Sequence, residues 1–314
     1  MNRRDFMKGM TGCMLGTTFS PNLLARCLLQ YQPLHPRVDT DSYRDELMVV
    51  VGVGPFGART TRLLSQAVSG ITCHEVLFHP ECRNDAEMNS LFAAVRACDL
   101  LFVVSGFEDG YCEPFVRAIW ETDSIRQERL TVLLIPDPVV GHPSSGIVAS
   151  SLRACADAVL VISGASGAEQ EAHWSGITQR STPAEQSIRH TIASITNLFT
   201  LPDITAVFFD DVRSVLTCGQ DGRVGFAAVS GAMSGQTATL LAMARLEHQG
   251  ASLATTAGVL VVIQGSSTMT MDDMAEVDQT LHDTLQDDAL IMRYLLVNES
   301  LGDKLSVTII WRSL

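Results

Sequence analysis

Leu47-Met48-Val49-Val50-Val51, followed at once by Gly52-Val53-Gly54-Pro55-Phe56-Gly57, is the stretch on which the fold reading turns. Five apolar residues without alternation are the mark of a strand buried on both faces, which means a parallel sheet covered by helices. The glycine run reads as a loop, and Ala58 to Ser69 then has the apolar spacing of a helix. Further downstream the pattern repeats. Glu75–Phe78, Leu100–Val104, Leu130–Ile135 and Ala158–Ile162 read as strands. Asp85–Ala97, Glu113–Glu121 and Ile147–Cys155 read as the helices between them. Alternation of this kind predicts an α/β, Rossmann-like parallel-sheet domain over residues 47–182.

A long central helix is predicted over residues 183–199, with Pro183 at its start and Pro202 beyond its end. Residues 200–314 form a smaller α+β domain. Its strands are read at Val224–Ser230, Gly258–Gln264, Ile291–Asn298 and Leu305–Trp311, and its helix at Met271–Leu285.

The glycines form a literal G-x-G-x-x-G between a strand and a helix. Glycine there permits close backbone approach to phosphate, and the helix N-terminus favours an anion. Glu75, 23 residues past Gly52, stands where a ribose-binding carboxylate would sit in a dinucleotide fold. Pro55, which lacks an N–H, and bulky Phe56 argue against that use.

The chain has 314 residues, 46% of them apolar, enough for a large core. Its net charge of −13 argues against nucleic-acid binding, where Lys and Arg neutralise phosphates. Eight scattered cysteines form no CxxC pair and read as small buried hydrophobes rather than a disulfide framework. Cys73-His74, His79 and Cys82 are metal-capable, but their spacing matches no common zinc pattern, and the segment reads as a strand end entering a polar loop.

Residues 1–25 have a different character. Arg3-Arg4-Asp5-Phe6-Met7-Lys8 resembles the twin-arginine export motif, followed by a weakly apolar stretch and Ala25 as a small residue for cleavage. This predicts export to the periplasm or cell envelope. Without a working signal the expectation is cytoplasmic. Residues 26–46, with Pro33 and Pro36, read as a linker.

From Glu46 to its last residue the chain resembles the FtsZ branch of the tubulin superfamily. The resemblance rests on Val49 to Gly57, Ala97 to Gly106, the ungapped run Ile188 to Leu216, and Ala257 to Ile263 with Met271 to Val277. It continues through Asp287 to Ile291 and Gly302 to Ile310. It implies an FtsZ/tubulin-like fold, with GTP held by glycine loops at Gly52, Gly54, Gly57, Gly106 and Gly110. It also implies a catalytic acid at Asp211 supplied to a neighbouring subunit.

The loops depart from the family's pattern. The signature loop is Gly106-Phe107-Glu108-Asp109-Gly110-Tyr111-Cys112-Glu113-Pro114, and its acids would repel a polyphosphate. Arg59 and Glu185 stand where the family has asparagines, the second a base contact. The catalytic loop reads Ala206-Val207-Phe208-Phe209-Asp210-Asp211, and only Asp211 matches a family acid. Asp211 therefore reads as a surface or helix-capping carboxylate rather than a surviving catalyst. The sequence ends with the last strand of the resemblance, so the tail by which FtsZ reaches membrane tethers is expected to be missing.

Three readings stay open. The first is a non-hydrolysing structural protein that assembles with itself or other FtsZ-like subunits, and it commits to no cofactor. The second is a divergent GTPase of cell division or membrane remodelling. The third is a dinucleotide enzyme. A membrane contact is expected only through an uncleaved N-terminal segment. An exported chain would enter a compartment where GTP is not expected, which would remove the need for GTP-handling residues.

Overall fold

The computed structural model describes residues 47–77, 85–106, 112–122, 129–137, 152–163, 181–201 and 207–314. The export-like segment and linker, His79, Cys82, Gly110, Ala206 and most of the helix read at Ile147–Cys155 lie outside the described residues.

Among the described residues nine strands form one continuous sheet in the order β2-β1-β3-β4-β5-β6-β9-β7-β8. The first five are β1 (Met48–Val53), β2 (Ile71–Val76), β3 (Leu100–Ser105), β4 (Leu130–Pro136) and β5 (Ala158–Ile162). They pair in parallel. β1 and β3 are buried along their whole length, as continuous apolar runs require. The remaining four are β6 (Gly222–Ser230), β7 (Thr256–Gly265), β8 (Leu290–Val297) and β9 (Lys304–Ser313). Here β9 is antiparallel to both β6 and β7, and β7 runs parallel to β8. The smaller domain expected after residue 200 is thus continuous with the parallel sheet, joined through Leu160 and Gly222.

The helices are α1 (Gly54–Ser65), α2 (Asp85–Ala97), α3 (Cys112–Thr122), α4 (Pro183–Thr200), α5 (Phe209–Thr217), α6 (Ser234–His248) and α7 (Met271–Thr284). Period-two alternation sorts strand side chains between two faces. On one face Val50, Phe102, Leu134, Leu260 and Leu296 pack with Ile188, Ile192 and Ile195 of α4 and Val212 of α5. On the other face the described residues form two separate cores. Val49, Leu101 and Leu133 pack with α2 and α3, while Val259, Val307 and Trp311 pack with α6 and α7.

Two expectations are corrected, and one helix is added. Residues 54–57 are not a loop: β1 runs through Val53 and α1 begins at Gly54, whose φ of 71° is a left-handed conformation that glycine adopts without strain. α5 falls in a stretch read as loop. It is short, and its N-cap, Phe208, makes no side-chain cap hydrogen bond, which leaves the acids Asp210 and Asp211 of its first turn as a weak start signal. α6 also went unread. Leu240 and Leu241 face solvent on it and blur the apolar stripe, and no side chain caps its start.

Candidate functional site

The site predicted from the glycine run lies at the carboxyl ends of β1 and β3, where α1 starts and the N-terminus of α4 comes alongside. A Cβ at Gly52 would lie 2.3 Å from the Gly57 carbonyl oxygen, and one at Gly57 would lie 2.2 Å from the Val104 carbonyl oxygen. These two glycines let α1 sit directly on β1 and β3. Gly106 follows β3 and is buried, its carbonyl oxygen accepting from the Ser105 hydroxyl at 3.3 Å.

The two residues that depart from the family's asparagines meet in space. The Arg59 Nε–H on α1 donates to Oε1 of Glu185 on α4. The Glu185 side chain is fully buried, whereas Arg59 is 54% exposed. The second carboxylate oxygen is also used. Oε2 accepts from the Thr182 backbone N–H at 2.6 Å and from the Thr182 hydroxyl at 3.0 Å. The Thr182 hydroxyl in turn accepts the Glu185 N–H at 3.3 Å, closing a reciprocal capping box with Pro183 in the first turn. One turn on, burial lowers the pKa of Arg189, and the Glu185 carboxylate opposes that shift. Glu185 is therefore a structural carboxylate joining α1 to the start of α4.

Glu75 is likewise engaged. It receives both the Nε–H and Nη2–H of Arg62, at 3.1 and 2.5 Å, in a bidentate pair across α1 and β2. That hydrogen-bonded pair raises the Arg62 pKa. A ribose hydroxyl would have to displace this arginine.

Asp211 is not part of this site. α4 separates the two: Glu185 is in its first turn, and Phe199 near its end packs on Phe209 with ring centroids 5.8 Å apart. At 1.5 Å per residue that places Asp211 roughly 20 Å away, at the opposite end of the helix. Asp210 and Asp211 lie in the first turn of α5, where negative charge complements the helix dipole. Arg213 covers the Phe209 ring at 5.1 Å.

No group of three metal-ligating side chains occurs among the described residues. The Cys73 thiol is pushed up to about 11, first by burial and then by the charge of Glu75. Burial lowers the pKa of His74. The Arg59–Glu185 pairing was the feature sequence reading missed, although both residues had been marked singly as departures. Residues 126 positions apart give no local signal of contact.

No family model matches the chain. It is 21% identical over 234 residues to the cell division protein FtsZ of Buchnera aphidicola subsp. Baizongia pistaciae, over 72% of this chain. The match spans only 60% of that relative's length. An empty FtsZ dimer of M. jannaschii superposes with a TM-score of 0.67 at 18% identity, over 93% of this chain and 92% of that one. A GTPγS-bound protofilament of CetZ2 from Haloferax volcanii gives 0.56 at 14% identity, over 85% and 93%. CetZ from Methanosaeta thermophila gives 0.59 at 14%, over 84% and 85%. The sheet order, the central helix and these superpositions together make the chain an FtsZ/tubulin-like protein in fold, divergent in sequence from those it resembles.

Proposed function

We propose that this chain is a structural, FtsZ-like subunit that assembles with copies of itself or with related subunits and has lost GTP hydrolysis. The observation that carries the reading is the closed Arg59–Glu185–Thr182 arrangement. A carboxylate that is to recognise a base must be reachable, and the Glu185 side chain is fully buried with both oxygens already accepting hydrogen bonds within the chain. Separating Arg59 from Glu185 would take one partner from a fully buried carboxylate, which is unfavourable, although less so than breaking a pair buried on both sides because Arg59 is half exposed. A nucleotide entering here would meet that cost before making any contact of its own. Assembly is supported by the fold, which is shared with an FtsZ dimer and a CetZ2 protofilament.

The mechanism in this reading is one of surfaces held in place rather than of a chemical switch. Gly52 and Gly57 lock α1 against the sheet, and Glu185 locks α1 against α4. The end of the molecule carrying Phe208 and Asp211 is held by α4 at a set distance from that opposite end. The twin-arginine-like segment further supports action outside the cytoplasm, where a subunit without a GTP requirement would work.

Titration of the purified protein with GTP and Mg²⁺, followed by phosphate release and sedimentation, tests the proposal. The expected result is sedimentable assembly that is indifferent to GTP, with no phosphate released. Micromolar GTP binding with turnover would establish a divergent GTPase instead. Retention of NAD or FAD on purification would establish a dinucleotide enzyme. A fusion of residues 1–30 to a reporter tests export, and an uncleaved fusion retained in the cytoplasm would refute it.

A further inference from the structure

The sheet has a weak point. Between β5 and β6 the backbone register contains a single pair, Leu160 and Gly222, among the described residues. Every other neighbouring pair of strands matches over five residues or more. On the face away from α4 the described core residues also fall here into one cluster with α2 and α3 and another with α6 and α7. Backbone pairing and that core would both allow the parallel and mixed halves to part.

Arginine side chains occupy this seam on both faces. Arg312 of β9 is 2% exposed. Its guanidinium donates to the Val159 carbonyl of β5 at 3.1 Å. On the other side of the seam it donates to the carbonyls of Cys218 at 3.0 Å and Gln220 at 3.2 Å. Burial lowers its pKa, opposed by the charges of Cys218 and Asp221. Arg312 is in register with Gly222, whereas Arg223 is in register with Trp311 of the other core, so alternation puts Arg223 on the opposite face. There Arg223 pairs with Asp137, which follows β4, at 3.1 Å. Arg153, just before β5, pairs with Asp221, just before β6. The planar, many-donor guanidinium suits this task, because one side chain can bind carbonyls from two elements at once.

We propose that Arg312, together with the Arg223–Asp137 and Arg153–Asp221 pairs, is a polar latch that makes the two halves of the sheet one rigid body. The subunit then assembles without a hinge between its halves. This holds whether or not a nucleotide binds.

Native-state hydrogen exchange of the full chain over a urea series tests it. Peptides from β3 and β4 are compared with peptides from β7 and β9. In the wild-type protein both sets should open in one common event. In Arg312→Met they should open separately, with midpoints about 1 M urea or more apart. Gly222→Ala provides an independent wedge. Its Cβ would meet Leu160 Cδ2 at 2.4 Å, Arg312 Nη1 at 2.7 Å and the Val159 oxygen at 2.8 Å, and the same separation is expected. Should Arg312→Met fail to fold, Gly222→Ala and the milder Arg312→Lys give the decision. Separate opening of the halves in the wild type would overturn the latch. So would variants whose halves still open together at a lower urea concentration.

Discussion

Arg59 on α1 and Glu185 on α4, 126 positions apart, form an ion pair in which the carboxylate is wholly buried and the guanidinium half open to solvent. Their coupling can be measured. Arg59→Ala leaves the carboxylate with its Thr182 hydrogen bonds and the nearby Arg189 charge, and should destabilise the fold by about 1–3 kcal/mol, less than for a fully buried pair because Arg59 is solvated. The double variant with Glu185→Ala should cost less than the sum of the two single variants. Urea unfolding of the four proteins checks this, and strict additivity would mean the pair is not coupled.

Gly57 separates a packing role from a phosphate-binding role. Alanine there would press its Cβ to 2.2 Å from the Val104 carbonyl oxygen, so Gly57→Ala should lose about 1–3 kcal/mol of stability. Thermal or urea unfolding without any nucleotide is the measurement. A variant as stable as the parent would return Gly57 to a ligand-binding role.

Asp273 links two helices and should impose a pH dependence. It closes the capping box of α7 with Thr270 and accepts from the Ser234 hydroxyl at the start of α6, at 2.9 Å. Burial works to raise its pKa, but the Thr270 and Ser234 hydrogen bonds outweigh it and hold the carboxyl below its ordinary value. Its stabilising contribution is then complete above the unfolded-state value of about 4 and is lost as pH falls through the depressed folded-state value. The stability gap between wild type and Asp273→Asn should be flat from about pH 5 to 8 and close below about pH 4. A gap that widened on acidification would contradict this.

Cys73 should be chemically quiet. With its thiol near 11, only about 0.1% is thiolate at pH 8, against roughly a quarter for an ordinary cysteine. Iodoacetamide labelling at pH 8, read by peptide mass spectrometry, should be at least 100-fold slower in the native protein than in urea. Rapid native labelling would refute the burial of this thiol.

β1, β3, β4 and β5 were legible because each is an apolar run, and β5 matches its expected span from Ala158 to Ile162 residue for residue, whereas β2, expected at Glu75–Phe78, lies at Ile71–Val76 because its Thr72, His74 and Glu75 break the apolar run. α2 and α4 were legible from periodicity and, for α4, from Pro183. α5 and α6 were not. The first lacks a capping side chain, and the second turns Leu240 and Leu241 to solvent. At the candidate site the glycines were visible but their use was not, since the close approach of α1 to Val104 depends on where β3 lies.

By itself the sequence determined the α/β class, the central helix and the departure of Arg59 and Glu185 from the family's asparagines, because these follow from local periodicity and residue identity. The tertiary structure alone decided that those two departures meet. It also decided that Asp211 stands at the far end of α4 and that three arginines close the seam at Leu160 and Gly222. The Arg59–Glu185 pair and the seam are contacts between residues distant in the chain, and such partners are chosen by the packing of whole elements, which no local pattern encodes.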